Sequence, residues 1–113
     1  MKIRTEIPLK TEELKTFLPS VGANIFFPTN FPITDHIGNI VTDSKDSGSG
    51  DLFFPLAKDP SERARHTAEA INRGAAVITD QYGVPPSNGD TVLLKVAGLY
   101  KRKITDLLIQ KMN

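Results

Sequence analysis

The sequence contains no cysteine, which excludes disulfides, thiol nucleophiles and cysteine-ligated zinc or iron–sulfur centres. It has little net charge: 14 Lys and Arg against 13 Asp and Glu leave +1, too weak a field to draw the chain to nucleic acid or to an acidic membrane. No apolar run approaches the roughly 20 residues of a membrane-crossing helix. The opening residues Met1-Lys-Ile-Arg-Thr-Glu6 lack the apolar core of a signal peptide, so the expected location is cytoplasmic. Three motifs are also missing: the P-loop G-x-x-x-x-G-K-[ST], the dinucleotide fingerprint G-x-G-x-x-G and the nucleophile elbow G-x-S-x-G. Without a P-loop, nothing in these residues is equipped to grip a triphosphate.

What is present is an ordinary globular composition, 39% hydrophobic and 24% charged over 113 residues, the size of one domain with one core. Lys2–Leu9 alternates Ile3, Thr5 and Ile7 with charged residues, a half-buried strand that Pro8 ends or confines to a sheet edge. Thr11 is the expected N-cap of a helix to Leu18, with Leu14, Phe17 and Leu18 on its apolar face and Pro19 and Gly22 as stops. Ala23–Phe27 reads as a strand and Pro28–Asp35 as loop. Asn39–Thr42 and Leu52–Leu56 read as two strands around a turn carrying Gly48 and Gly50; a hairpin and an offset connection are both open.

Asp59-Pro-Ser-Glu62 is a helix start, with Asp59 as N-cap and Pro60 at the first helical position. Ala64, Thr67, Ala68 and Ile71 then mark an apolar face, and Gly74 ends the helix. Ala75–Thr79 follows as a buried strand, giving a βαβ crossover. Asp80–Asp90 is turn-rich, Thr91–Val96 reads as a strand, and Tyr100, Ile104, Leu107, Leu108 and Met112 trace one face of a helix over Leu99–Met112. The expected fold is α/β: a mixed sheet of about five strands with about three helices.

The chemistry concentrates at Thr42, Asp43, Ser44 and Lys45, which place a hydroxyl, a carboxylate, a hydroxyl and an ammonium in succession at a strand's end. One reading is a solubilising turn whose side chains cap local amides. The other is a polar ligand site in which Lys45 meets a phosphate as a point charge. His36 reads as a hydrogen-bonded loop residue beside Asp35, and His66 as a surface residue at the back of its helix's apolar face; their spacing supports no metal site. Lys101-Arg-Lys103, with Lys95 and Lys111, reads as a solvated helix face, short of the charge and aromatics that nucleic-acid binding needs.

Ile40-Val-Thr-Asp-Ser-Lys45, Gly50-Asp-Leu-Phe-Phe-Pro-Leu56 and Ala68-Glu-Ala-Ile-Asn-Arg-Gly-Ala-Ala-Val-Ile78 together resemble the N-terminal domain of the Mur ligases. The resemblance is to the members that add the third residue or the terminal D-alanyl-D-alanine to the peptidoglycan precursor. The family pattern runs T-D-S-R, a short turn, G-D-L-F-x-A-L, then an alanine-rich helix ending E-A-I-x-x-G-A-x-A. The resemblance implies a UDP-binding domain for a UDP-N-acetylmuramoyl-peptide or another nucleotide-sugar, with Thr42, Asp43, Ser44 and Lys45 at the nucleotide-contacting positions and Lys58 and His66 as further candidates. Lys45 stands where the family has arginine. The family's lysine after G-D-L-F-x-A-L is displaced by one to Lys58, and its glycine-histidine becomes Arg63-Ala64, with His66 two positions late. The expectation is a single domain over 1–113 without the family's ATP-binding and C-terminal domains, so no catalysis by these residues alone. ATP and Mg²⁺ would enter only through a separate ligase domain or a separate ATPase chain. The alternative is a relative that keeps the scaffold, has lost the nucleotide and acts through protein contacts or self-association.

Overall fold

In the computed structural model, residues 2–29, 31 and 36–99 are described, with side chains for these except residues 2–9 and 36. The elements are β1 (Lys2–Lys10), α1 (Thr11–Phe17), a 3-10 turn at Leu18–Val21, β2 (Ala23–Phe26), β3 (His36–Val41), a 3-10 turn at Ser44–Asp46, β4 (Asp51–Phe53), α2 (Pro60–Asn72) and β5 (Ala76–Asp80). A further helix, α3, occupies residues 89–99. The strands form one mixed sheet in the order β1-β3-β4-β5-β2. The central strands β3, β4 and β5 are mutually parallel, and the two edges, β1 and β2, are antiparallel to their neighbours. The α/β class and the mixed sheet are as expected, and β1 is an edge strand whose pairing slips between Arg4 and Leu9, the interval holding Pro8.

Alternation along the strands divides the core between the two faces of the sheet. Ile40, Leu52, Ala76 and Ile78 pack with Leu14 and Leu18 below the sheet and with Val92 and Val96 of α3. Phe53 and Val77 point the other way, into a smaller cluster with Ala70, Ala75 and Ile71 under α2. Burial on both faces is why β4, at the centre, is buried at every position.

Several expectations change. The two strands around Gly48 and Gly50 are not a hairpin; Asn39, Ile40 and Val41 pair in parallel with Asp51, Leu52 and Phe53. His36 lies in β3 rather than in a loop, and its expected contact with Asp35 falls outside the described side chains. Thr11 is not the N-cap of α1: β1 runs straight into the helix, so Lys10 takes the extended capping conformation and the Thr11 hydroxyl is buried without a hydrogen-bond partner. The buried side of α2 is Thr67 and Ala70, not Ala64 and Ala68, which are exposed. Thr91–Val96 is not a strand but part of α3. Val92 and Val96 sit one turn apart and are buried, whereas Leu94, which an alternating strand would align with them, is 73% exposed. The helix expected over Leu99–Met112 lies, beyond Leu99, outside the described residues.

Gly89, the first residue of α3, is pressed against the chain leaving β4: a β-carbon there would stand 2.2 Å from the Pro55 carbonyl oxygen. Only glycine fits so close an approach, and α3 is thereby fixed against the end of β4. Gly98 in the same helix faces open space. Gly89→Ala is therefore expected to destabilise the fold by about 1–3 kcal/mol through overpacking, while Gly98→Ala stabilises it by up to about 1 kcal/mol through helix propensity. Urea denaturation of both variants checks this, and equal shifts of the same sign would refute the contact.

The connection between β3 and β4 is short for parallel neighbours, which usually need a dozen or more residues between them; here residues 42–50 suffice. Asp51, 2% exposed, holds it closed. Its Oδ1 accepts a hydrogen bond from Asn39 Nδ2 at 2.8 Å, across the β3–β4 pair, and its Oδ2 accepts from the backbone N–H of Gly48 at 3.0 Å. An amide in its place supplies one acceptor where the carboxylate supplies two. Asp51→Asn is expected to cost about 1–3 kcal/mol, the range for an unsatisfied buried polar group, read as a lower urea midpoint; an unchanged midpoint would show that the turn closes without it.

Candidate functional site

Because β3, β4 and β5 are parallel, their carboxyl ends lie along one edge of the sheet, where open α/β sheets place their ligand sites. The turn after β3 begins with Thr42, half-buried at the strand's end. Asp43 stays extended, and its Oδ1 accepts from the Lys45 N–H at 3.0 Å, capping the 3-10 turn Ser44–Asp46. This is the local capping expected of a solubilising turn. Ser44 is buried, 4% exposed, and its carbonyl takes the Ser47 hydroxyl at 2.5 Å and the Ser47 N–H at 3.3 Å. The turn thus satisfies its own backbone and leaves the Lys45 side chain outside. Among the described residues the Lys45 ammonium has no carboxylate partner within ion-pair distance.

Helix α2 packs against this turn. Asp59 caps the helix as expected, its carboxylate accepting from the Ser61 N–H. Arg63 donates to the carbonyls of Ala57 and Lys58, at 3.2 and 2.8 Å, and so clasps the approach to the helix. At the far end Gly74 has φ +91°, and a β-carbon there would meet Ser49 of the β3–β4 connection at 3.6 Å. On the side towards the turn, Glu62, Arg65, His66 and Glu69 fall at helical spacing and form one polar stripe. Glu62 Oε2 receives Arg65 Nη2 at 2.5 Å and lies 3.4 Å from His66 Nε2. Glu69 pairs with Arg73 at 3.5 Å.

Between turn and stripe lies a cleft of about 310 Å³ lined by Asp43, Ser44, Lys45, Arg65, His66 and Glu69. It brings Asp43, Ser44, Lys45 and His66 of the sequence candidates together. Thr42 and Lys58 do not line it: Thr42 is half-buried where β3 ends, and Lys58 is exposed on the connection to α2. Arg65 and Glu69 were not singled out from the sequence. Their spacing from His66 on one helix was the available signal, but only the packing of α2 against the turn shows that the stripe faces it. Chemically the cleft offers an unpaired ammonium, a guanidinium held by one carboxylate, an imidazole and two acidic acceptors, a set suited to an anionic ligand that also carries hydroxyl or amide donors.

A second hollow, about 530 Å³, lies against α1 and is lined by Glu12, Glu13, Thr16, Phe17, Ser20 and Leu99. Among the described residues its walls hold two carboxylates and no cation. No group of three or more histidine, aspartate or glutamate side chains among the described residues is arranged to hold a metal ion. Nor is any helix among them long and apolar enough to cross a membrane.

No family model matches the chain, and no solved structure matches it. A stretch of 59 residues, 52% of this chain, is 36% identical to the UDP-N-acetylmuramoyl-L-alanyl-D-glutamate–2,6-diaminopimelate ligase of Rhizobium meliloti (strain 1021). The matched stretch spans 12% of that ligase's length. The chain therefore contains a segment related to a Mur ligase.

Proposed function

We propose that this chain is a Mur ligase N-terminal-type domain that binds a UDP-linked cell-wall precursor, a UDP-N-acetylmuramoyl-peptide or a related nucleotide-sugar. The ligand occupies the cleft between the Ser44–Asp46 turn and α2. One observation carries the reading: Asp43, Ser44 and Lys45 of the Thr-Asp-Ser-Lys turn, which resembles the nucleotide-contacting motif of that family, form one wall of a cleft whose other wall supplies Arg65 and His66. Kinship of a segment of the chain to a ligase whose name specifies a UDP-N-acetylmuramoyl substrate supports the same reading. In this reading Lys45 and Arg65 meet the diphosphate, one as a mobile point charge and one as a fork, while Asp43 and Ser44 meet hydroxyl or amide groups of the nucleoside. Recognition is the role of these residues; forming an acyl phosphate needs phosphate and Mg²⁺ ligands of the P-loop kind, and belongs to a separate domain or chain working in the cytoplasm.

The scaffold-only alternative is favoured by a specific feature, the position of Lys58 outside the cleft. Calorimetric titration separates the two. UDP and UDP-N-acetylmuramic acid are expected to bind. Lys45→Ala should weaken binding by about five- to tenfold at low ionic strength, an effect that salt shrinks because the group is exposed. Asp43→Ala should weaken it as well, by loosening the turn. Absence of heat at millimolar ligand would rule out the nucleotide-sugar and leave the scaffold reading. Unchanged affinity in both variants would move the site elsewhere.

A further inference from the structure

His66 is the one group of this cleft whose ordinary titration range crosses neutral pH. The charged groups that face it are few. Among the described residues its own helix supplies Glu62, Arg65 and Glu69, with Arg73 one turn further on and paired to Glu69, and the turn supplies Asp43 and Lys45; Asp46, also on the turn, does not line the cleft. Among the described residues, with His66 neutral, Lys45, Arg65 and Arg73 are balanced by Asp43, Glu62 and Glu69, so the lining and its ion-pair partners carry no net charge. Glu62 has no charge to spare in this balance, because the oxygen 3.4 Å from His66 Nε2 is the one that already receives Arg65 at 2.5 Å. One carboxylate serves two cations once the imidazole is protonated, and it can neutralise only one. Protonation of His66 therefore turns a neutral lining positive. His66 is half-buried, 35% exposed, so its added charge acts on the cleft rather than being lost to bulk water.

Resting on the reading of this cleft as a UDP-ligand site, we infer that His66 makes binding there proton-linked: the anionic diphosphate ligand prefers the His66-protonated form. Affinity is highest below the titration range of His66 and falls as pH rises through it. By reciprocity, bound ligand raises the affinity of His66 for its proton. A unit charge at contact distance in a partly solvated cleft corresponds to about a fivefold change in affinity.

The test is calorimetric titration with UDP-N-acetylglucosamine at pH 5.5 and pH 8.0 and low ionic strength. Its diphosphate diester and base keep their charge across that interval, so any change belongs to the protein. Wild type is expected to bind about fivefold more tightly at pH 5.5, and His66→Gln to bind equally at both. In wild type, proton NMR should show the His66 imidazole titrating at higher pH with ligand than without, a readout that does not depend on how the variant folds. Equal wild-type affinity at both pH values, a pH difference retained in His66→Gln, or a His66 titration unmoved by bound ligand would each overturn the inference while leaving the cleft a UDP site. No binding at either pH, with UDP and UDP-N-acetylmuramic acid failing as well, would remove both.

Discussion

The Asp51 carboxylate is the interaction on which the site depends. Two parallel strands joined by residues 42–50 leave the chain little length to travel back along the pair. Asp51 resolves this from inside, one oxygen on the Asn39 amide of the neighbouring strand and the other on the Gly48 N–H of the returning chain. The carboxylate is buried at the register position where β3 and β4 begin to pair. With the inner side of the connection fixed in this way, its outer side, Asp43 to Lys45, is presented at the carboxyl edge of the sheet without being needed to hold the strands together.

Helix α2 serves the same connection from behind. Its small buried residues, Ala70 and the following Gly74, let it lie close to Phe53, Val77 and Ser49, and that closeness brings its polar stripe up to the turn. Structural and chemical roles are thus separated by side of the helix: small residues settle the depth, and Glu62, Arg65, His66 and Glu69 line or border the opening that depth creates. A mixed set of charges at such an opening differs from a basic patch. Ion pairs on α2 hold its cations in place, whereas Lys45 has no carboxylate partner among the described residues.

The sequence made some of this legible and some of it not, for identifiable reasons. Asp59-Pro60 and Gly74 announced both ends of α2, because capping is local chemistry. The apolar runs at Ala23, Asn39, Leu52 and Ala75 located four strands near their observed positions. What failed was whatever tertiary packing decides. Gly48 and Gly50 read as readily as a hairpin turn as a parallel connection, since nothing local reveals that Asp51 is buried. Ala64 and Ala68 looked like the inner face of α2 because hydrophobicity marked them, yet the face is set by closeness of approach, which favours Ala70 and Gly74. Thr91–Val96 satisfies both periodicities, and the contact of Gly89 with Pro55 belongs to the helical solution. Arg65 and Glu69 joined the cleft for the same reason: which way a helix stripe points is a property of what the helix rests on.

The shortness of the β3–β4 connection also bears on the order in which the sheet assembles. Asn39 pairs with Asp51, whereas Ala23 pairs with Asp80 and Lys2 with Val41. Closing a short loop costs less chain entropy than closing a long one, and contacts of small sequence separation are the ones reached soonest. The pair that carries the cleft's turn is therefore the least expensive long-range contact of the sheet to form. The edge strands, which among the described residues line none of the cleft, pair across longer stretches of chain than β3 and β4 do. The site is built on the most local part of a non-local fold, and its geometry is inherited from the centre of the sheet rather than from its rims.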